Sequence, residues 1–136
     1  MGEDDPASDR DDVVRLFPDY ADSTLWFGPT HYPVDYADTH LTPELLSDLE
    51  RWEQSYYDGL TDEPGRDLDW RSADLETAFE AEGRRLAQLV AAELGSDFGV
   101  QLVTEREELF RSAAQATNPA AADAFRRFQR ENDEWN

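Results

Sequence analysis

The chain contains no cysteine, no lysine, two histidines and one methionine, and no apolar run near the roughly 20 residues that a bilayer span requires. The lack of cysteine excludes disulfides, thiolate metal sites, iron–sulfur clusters and thiol nucleophiles. The lack of lysine leaves arginine as the source of all 12 basic side chains, which excludes Schiff-base chemistry and the lysine of a P-loop. The few glycines fall in stretches without the spacing of a phosphate-binding loop or a nucleophile elbow. Residues 1–12 carry six acidic side chains and one arginine where a secretion signal would be basic and then apolar. A cytoplasmic protein without membrane association is therefore expected.

Carboxylates dominate what is present. With 32 Asp and Glu against 12 Arg, the 136 residues carry a formal net charge of −20. A hydrophobic fraction of 39% and an aromatic fraction of 12% are nevertheless too high for a disordered chain of this length, so one folded domain with acidic ends is expected. Direct nucleic-acid binding is disfavoured, because phosphate contacts need a basic footprint. Two readings of the acidity stay open. It is either a field that steers a basic protein partner, or the hydrated surface of a salt-adapted structural or accessory domain with no dedicated ligand.

Along the chain, residues 1–12 read as a flexible acidic tail. Val13, Val14, Leu16 and Phe17, then Leu25, Trp26 and Phe27, are short apolar runs ended by Pro18 and by Gly28-Pro29, the pattern of short strands. Residues 29–41 lack periodicity and read as a loop packed down by Tyr32, Val34 and Tyr36. Thr42-Pro43 is a helix start, with the Thr42 hydroxyl expected to accept a backbone N–H. The helix runs to Asp58 on a stripe of Leu45, Leu46, Leu49, Trp52 and Tyr56, with Gly59 as a left-handed cap.

After a solvated connection over 61–69, a second helix is expected over 73–94, with Leu75, Phe79, Leu86, Leu89, Val90 and Leu94 on one stripe and Gly95 as its stop. Gly83, inside it, costs roughly 1 kcal/mol of helix propensity against Ala and so implies close approach to the sheet or to the first helix. Phe98, Val100 and Leu102 alternate as a strand. A short helix over 105–114 and a further one opened by Asn118-Pro119 complete the reading, the latter carrying Phe125 and Phe128 beside Arg126, Arg127 and Arg130, the one basic patch. The expected organisation is a disordered tail over 1–12, a core domain over 13–103 and a helical C-terminal extension over 104–136. The fold class is α+β: a small antiparallel or mixed sheet built near Val13, Leu25 and Phe98, covered on one face by two main helices, with the additional C-terminal helix at an edge.

Candidate chemistry is sparse. His31 and His40 flank Asp35 and Asp38 in one loop, where a mononuclear metal site or a hydrolase centre can be drawn, but the spacing matches no metal motif and a solvated loop accounts for it. Asp67 with Asp69, and Glu76, Glu80 and Glu82, are paired carboxylates of the kind acid–base catalysis uses, yet none stands out among 32 acids. No catalytic residue, metal or cofactor is implied. The remaining signal is the interleaving of acids with tyrosine and tryptophan, which anchor interfaces. The partner-binding candidates are Asp48, Glu53, Tyr56, Tyr57, Asp58, Asp69 and Trp70.

The order VRLFPDY (14–20), Leu25-Trp26, LTPELLSDL (41–49) with Trp52, then FEAEGRRLAQLVAAELG (79–95) and a strand resembles small acidic bacterial proteins of toxin-immunity type, over about residues 13–103. The resemblance implies a non-enzymatic inhibitor that occludes a basic protein partner such as a toxin nuclease, and it assigns no individual residue a role. Residues 104–136 fall outside it. Nuclease immunity proteins offer a looser likeness, a Tyr-Tyr pair among acids as at Tyr56-Tyr57, on a different pattern of elements.

Overall fold

The computed structural model describes residues 12–18, 23–27, 32–60, 70–104 and 106–135. These form five strands and four helices: β1 (Val13–Leu16), β2 (Leu25–Phe27), β3 (Tyr32–Pro33), α1 (Tyr36–Thr39), α2 (Pro43–Gly59), α3 (Ala73–Leu94), β4 (Gly99–Val103), β5 (Glu107–Arg111) and α4 (Pro119–Trp135). The fold is α+β. One mixed sheet runs in the order β3-β2-β1-β4-β5, with β1 parallel to β4 and the other neighbours antiparallel.

Register decides which face is buried. Val14 pairs with Phe27 and Val100, and Leu16 with Leu25 and Leu102, so all six point to one side and join the core. Helices α2, α3 and α4 cover that side with Leu45, Leu49, Trp52, Phe79, Leu86, Val90, Leu94 and Phe125. Trp52, Phe98 and Phe125 are the largest fully enclosed side chains, and each stabilises the fold by about 1.5–3 kcal/mol through burial. Both main helices begin and end close to where their periodicity and caps placed them. Ser72 caps α3 by accepting from the Leu75 N–H, and Gly95 ends it at φ 84, with the Ala116 backbone where a side chain would stand. Gly83 meets both expected neighbours: a Cβ there would lie 2.9 Å from Trp52 of α2 and 3.1 Å from Leu102 of β4.

Several expectations are corrected. Residues 107–111 form a strand rather than a helix. Glu108 and Phe110 face inward, with Glu108 held by Arg84 of α3 at 3.0 Å, and pairing with β4 overrides the helical preference of the acidic run. The loop over 29–41 contains β3 and the single turn α1, which Asp35 caps through the Ala37 N–H. Gly59 lies inside α2 and Leu60 is the cap; Gly59 is small because the Trp70 ring occupies the place of its missing side chain. The Thr42 hydroxyl makes no cap bond. It donates to Glu93 Oε2 at 2.7 Å, tying the start of α2 to the end of α3. Leu75 and Leu89 are 43% and 39% exposed, outside the buried stripe.

The C-terminal helix contributes to the interior, since Ala121 and Phe125 are fully enclosed and Phe125 packs edge-on to Phe27 and Phe98. The tail over 1–11 and the connection over 61–69 lie outside the described residues. Asp12 is fixed: its carbonyl accepts from the Gly99 N–H and its carboxylate pairs with Arg111 at 3.1 Å.

Candidate functional site

The end of α2 and the start of α3 bring an aromatic cluster to one edge of the domain. Phe79 stacks on Trp52 with ring centroids 4.5 Å apart, and the Trp52 indole N–H donates to the Phe79 carbonyl at 2.9 Å. Tyr56 lies 5.4 Å from the Phe79 ring and 5.8 Å from Trp70, while Trp70 is 5.1 Å from Phe79. Trp70 is held there by an antiparallel bridge to Leu60, and Arg71 is tied to the end of α2, its N–H donating to the Gly59 carbonyl and its Nε–H to the Asp58 carbonyl.

Tyr56, Trp70 and Phe79 line a cleft of about 380 Å³ together with Phe17, which stacks on Trp26, and Val103. Glu76 and Glu80, one turn apart on α3, stand at the cleft with Phe79 between them. Glu80 is half-buried and has no hydrogen bond or ion pair with any described residue. A half-buried carboxylate against aromatic faces is the environment that a guanidinium or ammonium group satisfies, by a charge-assisted hydrogen bond on one side and cation–π contact on the other. Among the described residues the cleft brings no nucleophile together with a base.

The structure divides the expected contact set. Tyr56 and Trp70 line the cleft, and Tyr57 stands edge-on to Tyr56 at 5.2 Å. Asp58 is exposed at the end of α2, where it accepts from Gln54 at 2.9 Å. Asp48 is committed within the fold: it pairs with Arg51 and, at 3.0 Å, with Arg85 of α3, which also binds Glu82 at 2.6 Å. Hydrogen bonds to Glu82 first and then Asp48 hold the Arg85 guanidinium even further above its ordinary pKa, so this cluster braces α2 against α3. Glu53 is not among the residues that line the cleft; its charge, with that of Glu50, adds a smaller part to the raised pKa of Tyr36, which burial chiefly causes. Asp69 lies outside the described residues.

Residues not singled out as contacts, Phe17, Glu76, Phe79 and Glu80, complete the cleft. Glu76 and Glu80 at i and i+4 flanking an aromatic at i+3 is the sequence signal that marks them. Of the proposed metal loop, His31 is outside the described residues, and among the described residues no three His, Asp or Glu side chains converge to hold a metal. Among them, too, no helix is long and apolar enough to cross a membrane.

Fold and cleft together define an α+β domain that gathers aromatic side chains and two glutamates at one cleft. Residues 12–105 match the family model described as Serratia CdiI immunity protein-like, and the chain belongs to that family. The match covers the stretch whose layout resembles immunity-type proteins and stops before β5 and α4. No curated protein and no solved structure matches the chain.

Proposed function

We propose that this chain is an immunity protein that acts without catalysis, by binding a basic toxin domain and occluding it. Family membership supports the toxin-immunity role. The single structural observation that carries the binding mode is the cleft in which Glu80, without a cation of its own among the described residues, stands beside Glu76 over the rings of Tyr56, Phe79 and Trp70. An arginine or lysine of the toxin would enter it, its methylenes covering the rings and its charge meeting the carboxylates. The net charge of −20 raises the encounter rate with a basic domain and repels acidic competitors. Tyr57 and Asp58 border this contact on α2, and Asp69 belongs to the same proposed surface through its neighbour Trp70; Asp48 and Glu53 are assigned to its outer acidic field.

The test uses the toxin domain, which this reading places at the C-terminus of a large secreted protein encoded beside this gene. Binding measured by calorimetry should be tight for the wild-type chain. It should weaken about 10- to 100-fold for Glu80→Gln, the range for removing one partner of a partly desolvated charge pair, with thermal stability unchanged. A wild-type chain that neither binds that domain nor protects cells expressing it would overturn the proposal, and unaltered binding by both Glu80→Gln and Trp70→Ala would remove the cleft from it.

A further inference from the structure

Away from the cleft, three of the described arginines gather along α4. A groove along α4 is lined by His40, Ala120, Asp123, Arg126, Arg127 and Arg130. Alanines on the helix leave room between the longer side chains. Arg126 is occupied, bridging Asp97 at 2.9 Å and Asp123 at 2.8 Å, so the groove's own carboxylate is already neutralised. Arg127 and Arg130 are exposed and have no hydrogen bond or ion pair with any described residue, in a chain with 32 carboxylates to offer.

His40 is placed beside them by construction rather than by chance. Its φ of 59° is the only positive value among the described non-glycine residues, and it puts His40 in the left-handed conformation that ends α1 and that Asn, Asp and His adopt more readily than other side chains. Asn118 holds it there: the Nδ2–H donates to the His40 carbonyl at 2.8 Å and to Glu93 Oε1 at 2.9 Å, while Oδ1 accepts from the Ala121 N–H to cap α4. One side chain thus sets both the start of α4 and the position of His40 over the groove.

We infer that this groove is a second recognition site, which takes an aspartate or glutamate carboxylate of the partner protein between Arg127, Arg130 and His40. Two guanidinium groups with an imidazole suit an oxyanion. The chain's overall charge selects the source: a polyanion or free phosphate is repelled by the surrounding field, whereas a carboxylate carried on a basic protein arrives with a partner the field attracts. The inference rests on the immunity reading for its partner but not for its chemistry. A cationic groove and an acidic cleft on one small protein would fix the partner's orientation and reject a toxin with the wrong charge pattern.

The test has two arms. In the first, the full chain is titrated with glutarate at constant ionic strength, balanced with sodium chloride, and followed by the arginine Nε–Hε and histidine ring resonances. Saturable shifts should be confined to Arg127, Arg130 and His40, and the double variant Arg127→Gln/Arg130→Gln should weaken them about five- to thirtyfold, the range for losing two exposed guanidinium contacts. Shifts spread over all arginines, or reproduced by chloride alone, would overturn the site; inorganic phosphate saturating the same resonances at tenfold lower concentration would overturn its assignment to a carboxylate. In the second arm, the double variant should bind the toxin domain five- to thirtyfold more weakly with its melting temperature unchanged, and equal affinity would overturn the role in recognition. Failure of the wild-type chain to bind that domain would instead overturn the immunity reading, and the glutarate arm, which needs no partner, would still decide the groove.

Discussion

Replacing Gly83 by Ala sets two opposed effects against each other, and the structure says which wins. Inside a 22-residue helix the substitution gains about 1 kcal/mol of propensity. The new methyl group, however, would sit 2.9 Å from Trp52 Cζ2, 3.3 Å from Cε2 and 3.1 Å from Leu102 Cδ1. The indole cannot swing away cheaply, because it is buried, stacked on Phe79 at an interplanar angle of 8° and bonded through Nε1–H to the Phe79 carbonyl. Overpacking at a pinned site costs about 1–3 kcal/mol, and the rigidity of this one places it in the upper part of that range. The expected net loss is about 1–2 kcal/mol, a fall in melting temperature of roughly 3–7 °C for a domain of this size.

Urea denaturation and differential scanning calorimetry would measure it, with Ala78→Gly, exposed on the same helix, as the reference for propensity alone at about 1 kcal/mol. Repeating Gly83→Ala in a Trp52→Phe background removes the atom that is struck, so a double-mutant cycle should show a favourable coupling of about 1 kcal/mol. A Gly83→Ala protein as stable as the wild type or more so, with no coupling to Trp52, would refute the close-contact account. The same displacement would disturb Phe79 and hence the cleft floor.

Two further outcomes are expected. Glu93 accepts from the Thr42 N–H at 3.1 Å, the Thr42 hydroxyl at 2.7 Å and Asn118 at 2.9 Å, so Glu93→Ala, which unties three helices at once, should cost about 2–3 kcal/mol in urea denaturation; an unchanged midpoint would show the three bonds to be dispensable. The Tyr36 hydroxyl is hydrogen-bonded to Thr24, and burial raises its pKa above 10, so the folded state prefers the protonated phenol; its contribution is complete below pH 10 and is lost as the pH rises through the folded value. Stability followed by circular dichroism should therefore fall more steeply above pH 10 in the wild type than in Tyr36→Phe, and parallel curves would contradict this.

Much of the site was legible in the sequence as parts, though not as an assembly. Tyr56 and Trp70 stood out as aromatics among acids, and both line the cleft. Asp48 stood out by the same rule, yet it is bound to Arg85, 37 residues away, a partner that only the packing of α2 on α3 supplies. Glu80 carried only a local mark, its spacing from Glu76 and Phe79, and what separates it from the other acids is the cleft it shares with Phe17 and Trp70.

By itself the sequence determined the two long helices, the stop of the second at Gly95 and the strands at Val13, Leu25 and Gly99, because hydrophobic period and a terminating glycine act over a few positions and are written locally. It also determined what chemistry is absent, through the residue types the chain does not contain. Only the tertiary structure decided that Glu107–Arg111 extends the sheet, that Phe125 completes the core, and which acids pair within the fold. Strand pairing, burial and ion pairing each depend on groups distant in sequence, and their energies exist only once the fold has brought those groups together.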